Sequence, residues 1–191
     1  ETARLVVGQT PNAMFILTSN IPVASADPRI IDGSELTFRE NAELTRHCTL
    51  FIGGSSGITW LATSEWAKPL PMIQVLRRET SVFASVLHDA EYFGLPTENI
   101  LELTDCSPAH LSQCVLAVLT SDFASARRVF HETIPVRLDF YMTTFIWRLL
   151  KSRRFSTILR SFRCVARRYG VALFFRYGAG LVRLSLKPAE R

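Results

Sequence analysis

Residues 49 to 76 read TLFIGGSSGITWLATSEWAKPLPMIQVL, an apolar run that turns through glycine and serine and resumes with helical spacing. At such a junction Gly53, Gly54 and Gly57 open backbone conformations closed to other residues and remove side chains that would hold a ligand away. The first amides of the helix that follows have no partner within it and carry the positive end of its dipole, which suits an anion. Ser55, Ser56 and Thr59 add hydroxyls at the same place. The chemistry is that of a phosphate or diphosphate cradle. The plainer reading, a tight strand-to-helix turn with a serine cap and no ligand, stands beside it. Neither GxxxxGKS nor GxxxxGKT occurs, and GGSSG is not GxGxxG, so the P-loop and the usual dinucleotide fingerprint are excluded.

The elements that must position this turn can be read from the spacing of apolar residues. Residues 12–18, NAMFILT, form a short buried strand after the helix-like run ETARLVVGQ. Residues 33–47 suit an amphipathic helix with Ser34 as its cap. LFIGG is a second strand, ITWLATSEW a short helix, LPMIQVL a third strand, SVFASVLHDAEYFG a helix ending at Gly94, and NILELTD a fourth strand. A helix over SPAHLSQCVLAVL follows, capped by Ser107 with proline in its first turn. This alternation predicts an α/β chain, a Rossmann-like parallel sheet with flanking helices, in which function gathers at the carboxyl ends of the strands. The GGSSG turn lies at one of those ends.

Composition limits the alternatives. A hydrophobic fraction of 48% with 20% charged residues belongs to a folded chain rather than a disordered one. No uninterrupted apolar stretch reaches the roughly 18–20 residues of a membrane span, and there is no signal-peptide layout at the N-terminus. The chain starts at Glu1 inside a helix-like run, which predicts that residues precede it. Cys48, Cys106, Cys114 and Cys164 lie 58, 8 and 50 residues apart, a spacing that fits neither a zinc ribbon nor a compact disulfide framework and reads as buried free thiols. His47, His88, His110 and His131 form no i,i+4 ligand pair and read as surface or cap histidines, so no metal is expected.

The segments PNAMFILTSN, ENAELTRHC, TLFIGGSSGITWLA and KPLPMIQVL together resemble the C-terminal, donor-binding half of a GT-B glycosyltransferase. The neighbourhood is that of the bacterial heptosyltransferase-like enzymes that build surface polysaccharide. The resemblance covers residues from about 12 to 132. It implies that Gly54, Ser55, Ser56 and Gly57, with Thr59, hold the diphosphate of a nucleotide-sugar donor, and that Glu65 holds the donor ribose. It also implies an acceptor domain upstream, no cofactor beyond the donor substrate, no metal, and a glycan or lipid-linked acceptor met in the cytoplasm or at the inner face of the plasma membrane. Where heptosyltransferases usually carry a DSGxxH pattern this chain reads SSGITW, so sugar and base are not carried over. A non-catalytic Rossmann-like module that binds a nucleotide or partner and docks on a membrane is the reading from a different class.

Charge divides the chain. Residues 1–135 carry a net −6 and residues 136–191 a net +11, which suggests a nucleotide-sugar-binding domain over 1–135, truncated at its N-terminus, and a basic amphipathic helical tail over 136–191. Placed at 100° per residue, Phe155, Ile158, Leu159, Phe162, Val165, Ala166 and Tyr169 share an arc of about 120°. Arg153, Arg160, Arg163 and Arg167 gather across from it, and Arg154 and Arg168 flank the stripe with stems that can cover apolar surface. Such a helix either packs on the domain with an arginine-rich solvent face or lies on an anionic membrane surface through Arg153, Arg154, Phe155, Phe162, Arg163, Arg167 and Arg168. Nucleic-acid binding is the competing use of so basic a region, but no recognisable DNA or RNA module accompanies it.

Overall fold

The computed structural model describes residues 1–54, 56–76, 85–133, 150–153 and 155–169, apart from the side chains of residues 161, 162, 164, 165, 168 and 169. The chain forms two compact units, Glu1–Leu87 with Pro96–Ile134, and His88–Leu95 with Pro135–Arg191.

The first unit is α/β, with two small parallel sheets and flanking helices. Helix α1 (Thr2–Gln9) buries Ala3, Val6 and Val7, one helical face at i, i+3 and i+4. Strand β1 (Phe15–Leu17) pairs in parallel with β2 (Ile30–Asp32), with Phe15 opposite Ile30. Arg29 ties this sheet to α1. Its guanidinium grips Asp27 at 2.7 Å and donates at 2.8 Å to the Val7 carbonyl, one of the acceptors left open at the end of α1.

Helix α2 (Phe38–Leu44) starts at Thr37, not at the expected Ser34. Thr37 and Glu40 form a capping box, the Glu40 amide donating to the Thr37 hydroxyl at 3.3 Å and the Thr37 amide to the Glu40 carboxylate at 2.8 Å. Ser34 has Thr37, not glutamate, three residues on, so it cannot make this reciprocal pair. Its hydroxyl and amide turn back to Asp32 instead.

The second sheet contains β3 (Phe51–Gly53), β4 (Met72–Val75) and β5 (Ile100–Leu103), parallel and in that order. Between them lie α3 (Gly57–Leu61) and α4 (Val86–Phe93), and α5 (Pro108–Thr120) and α6 (Phe123–Phe130) follow. Ser107 caps α5 with Pro108 at its first position, as expected. Strand β2 and helix α6 were not anticipated. The aspartate cap at Asp122, which accepts from the Ser125 amide at 2.7 Å, is the local signal for α6. Val6, Ile73, Leu101, Leu103, Cys114 and Val115 form the buried centre, with Phe15 and Ile52 packed against it, so both sheets share one core.

The expected helix over ITWLATSEW stops at Leu61. Beyond it the chain runs in turns, and the Thr63 hydroxyl donates to the Trp60 carbonyl at 2.8 Å, a local bond that competes with helix continuation. Helix α4 ends on Gly94, whose φ of 72° is the left-handed conformation such a stop requires. The Leu95 amide returns to Ala90 and the Gly94 amide to Glu91, closing the end of the helix. In the second unit, α7 (Phe155–Tyr169) is the basic helix read from the sequence. Arg154 lies outside the described residues, as do the side chains of Phe162 and Arg168.

Four carboxylates are held below their ordinary range by hydrogen bonds. Asp27 is lowered first by Arg29, Asp32 by the Ser34 amide, Glu40 by the Thr37 amide and Asp122 by the Ser125 amide. A carboxylate with a depressed folded pKa contributes stability above its unfolded value, about 4, and loses it as pH falls through the folded value. Urea midpoints should therefore hold level near neutral pH and fall as the pH drops below about 4. Asp122→Asn should flatten part of that slope.

Candidate functional site

The glycine-serine turn leaves the carboxyl end of β3 at Gly53 and enters α3 at Gly57. Gly54, Ser56 and Gly57 are exposed, and Ser55 lies outside the described residues. Ser56 occupies the cap position with extended backbone but makes no side-chain cap bond. Its hydroxyl sits 3.4 Å from that of Thr59. The amides of Gly57, Ile58 and Thr59 have no hydrogen-bond partner among the described residues. Among the described residues, donors without a partner thus coincide with two glycines, Gly54 and Gly57, where a Cβ would meet no side chain.

The glycines act through space rather than through unusual backbone angles. Gly94 is the glycine with a positive φ among the described residues, so the expectation that Gly53, Gly54 and Gly57 adopt conformations closed to other residues is corrected. A Cβ on Gly53 would lie 2.6 Å from the Phe51 ring and 2.9 Å from the Thr59 hydroxyl, one on Gly54 would lie 3.9 Å from the Val75 carbonyl, and one on Gly57 would meet nothing. Gly53 is needed for packing, Gly57 for openness. Gly53→Ala should lower stability by about 1–3 kcal/mol through overpacking, read as a shift of the urea midpoint.

Thr59 is buried and donates its hydroxyl to the Gly54 carbonyl. It clasps the turn from within and does not face outward as a ligand donor. Glu65 is exposed and lies on the turns beyond α3, not on the helix itself, and it makes no hydrogen bond among the described residues. The structure does not bring Glu65 into contact with the turn.

A cleft of about 550 Å³ separates β1 from β3, lined by Phe15, Leu17 and Thr18 on one side and by Phe51, Ile52 and Ile58 on the other. β1 pairs with β2 in one sheet, and β3, β4 and β5 form the other. In open α/β sheets ligands bind outside the carboxyl ends of strands. Ile52 and Ile58, on either side of the turn, line this cleft, whereas Gly54, Ser56 and Gly57 do not.

Two polar residues that sequence reasoning passed over anchor the next helix. Gln74 of β4 and Glu102 of β5 stand opposite one another in register and are fully buried. Gln74 accepts the Val86 amide at 2.8 Å, and Glu102 accepts the Leu87 amide at 3.1 Å and the Ser85 hydroxyl at 2.6 Å. The first turn of α4 is therefore held by side chains rising from the sheet. A glutamine and a glutamate set within MIQV and ILEL were the available signal, since strands covered on both faces are otherwise near-continuously apolar. On the outer edge, the Glu102 amide donates to His131 Nδ1 at 3.1 Å and the Thr104 amide to Glu132 at 2.9 Å, so His131, the C-cap residue of α6, also serves the sheet edge.

The remaining histidines and cysteines divide by environment. His47 is exposed, His88 lies 3.5 Å from Asp89, and His110 packs edge-on against Phe130. Cys114 is buried, and that burial pushes its thiol up to about 11. Cys48 is half-buried, and Cys106 is exposed, contrary to the expectation of buried thiols. Among the described residues no group of three His, Cys, Asp or Glu side chains is placed to hold a metal ion. Nor is any helix among them long and apolar enough to cross a membrane. No protein-family model, curated protein or solved structure matches the chain.

Proposed function

We propose that the first unit binds the diphosphate of a nucleotide-sugar donor and that the chain is the donor-binding part of a GT-B-type, Rossmann-like glycosyltransferase acting in bacterial surface polysaccharide synthesis. The observation that carries the proposal is the exposed Gly54, Ser56 and Gly57, with the amides of Gly57 and Ile58 without a partner among the described residues, at the carboxyl end of β3. The family resemblance of TLFIGGSSGITWLA supports the same role.

In this reading the amides of Gly57 and Ile58 and the Ser56 hydroxyl face the donor's phosphate oxygens. Thr59 acts behind them by fixing the Gly54 carbonyl. As the glycosidic bond to the donor breaks, negative charge gathers on the leaving diphosphate, and donors already aimed at that position stabilise it without reorganising. No catalytic base is assigned to this chain. The proposal is tested by thermal denaturation in the presence of UDP, GDP, ADP or CMP and of the matching nucleosides. A nucleotide at about 100 times its Kd should stabilise the fold by roughly 2.7 kcal/mol, whereas a nucleoside lacking phosphate should do far less.

A further inference from the structure

In the second unit the apolar arc of α7 is split between two environments. Ile158 is buried, at 8% exposure, whereas Phe155 and Leu159 stand 62% and 69% exposed. At 100° per residue these two exposed side chains lie about 40° apart, and Arg163 follows about 40° beyond Leu159, with Arg167 and Arg160 next. Ile158 is thus turned inward, whereas Phe155 and Leu159 stand in solvent directly against the arginine face. Arg153, Arg160, Arg163 and Arg167 are exposed, and their side chains make no ion pair or hydrogen bond among the described residues. Residues 150–169 contain no aspartate or glutamate.

The end of α4 lies in the same unit. The Tyr92 hydroxyl lies 3.5 Å from the Thr157 carbonyl oxygen, which brings the end of α4 against the first turns of α7. Phe93 and Leu95, on the adjoining stretch, are exposed at 63% and 59%.

We propose that this edge of α7 docks on an anionic bilayer surface, with Phe155 and Leu159 entering the headgroup region and Arg160, Arg163 and Arg167 facing lipid phosphates. A bilayer interface offers both surfaces that this helix presents, hydrocarbon to its apolar edge and negative charge to its arginines. A second copy would set arginine against arginine. A nucleic-acid backbone would neutralise the arginines but leave two large apolar side chains in water. The inference does not rest on the donor-site reading.

Cosedimentation of the full chain with lipid vesicles tests it. The chain should partition onto phosphatidylcholine vesicles containing about one third phosphatidylglycerol and not onto phosphatidylcholine alone, and binding should weaken as salt rises from ~0.1 M to ~0.5 M. Replacing Arg160, Arg163 and Arg167 together by serine should lower partitioning roughly 100-fold. Phe155→Ser with Leu159→Ser should lower it at least ~10-fold, since removing apolar contact removes insertion. All five positions are exposed, so circular dichroism should show each variant folded. Failure of the native chain to bind anionic vesicles, or equal binding by folded variants, would overturn the proposal. Salt-sensitive binding to duplex RNA without vesicle binding would also overturn it and make the arginine face a nucleic-acid surface. Nucleotide affinity is not read in this experiment, so either site can fail without the other.

Discussion

Glu102→Ala is expected to lower the stability of the chain by about 3–5 kcal/mol. The carboxyl group stands in a fully buried position on β5 and accepts both the Leu87 amide and the Ser85 hydroxyl. Truncation leaves those donors facing a void, and each buried unsatisfied group costs about 1–3 kcal/mol beyond the packing lost. Because domains are stable by only about 5–15 kcal/mol, this single change should remove a large share of the whole. Chemical denaturation followed by circular dichroism reads the effect as a lower midpoint. Glu102→Gln keeps the volume and one carbonyl oxygen for Leu87, so it should lose less than about 2 kcal/mol. An alanine variant within about 0.5 kcal/mol of the native chain would show that the start of α4 does not depend on this carboxyl group.

The second large effect concerns binding. Gly57→Val should weaken nucleotide binding by more than roughly 100-fold, about 2.7 kcal/mol, while leaving the thermal midpoint within a few degrees of the native value. Both halves follow from the same geometry. A Cβ at position 57 meets nothing, and the residue is not in the left-handed region, so valine fits the fold. Its branches would stand in the open space through which a phosphate must approach the amides of Gly57 and Ile58. Gly53→Ala should behave in the opposite way, losing stability because its Cβ collides with Phe51 and Thr59. If Gly57→Val lost stability instead, the turn would be serving packing rather than a ligand.

Much of this arrangement was legible from residue pattern. The runs FIL, FIG, MIQV and ILEL are strands as read, and the Ser107-Pro108 pair starts its helix as read. Strand β2 escaped because RIID is too short to carry a period and sits between Asp-Pro and glycine, where turn signals dominate. The start of α2 was misplaced because Ser34 is a good cap by type, whereas the partner three residues on decides between Ser34 and Thr37. The position of GGSSG at a strand end was visible, but the division of labour within it was not. Only packing shows that Gly53 is closed, Gly57 open and Thr59 turned inward. Gln74 and Glu102 were passed over because polar residues in a strand usually face water, and their burial depends on helices covering both sides of the sheet.

The central claim, that the turn at Gly54–Gly57 holds a nucleoside diphosphate, is tested most directly by calorimetric titration of the native chain and of Gly57→Val with UDP, GDP, ADP and CMP. The account predicts saturable binding of a diphosphate nucleotide to the native chain and its loss in a variant that remains folded by circular dichroism. Absence of binding by a folded native chain, or undiminished binding by Gly57→Val, would contradict it and leave GGSSG as a connection between β3 and α3.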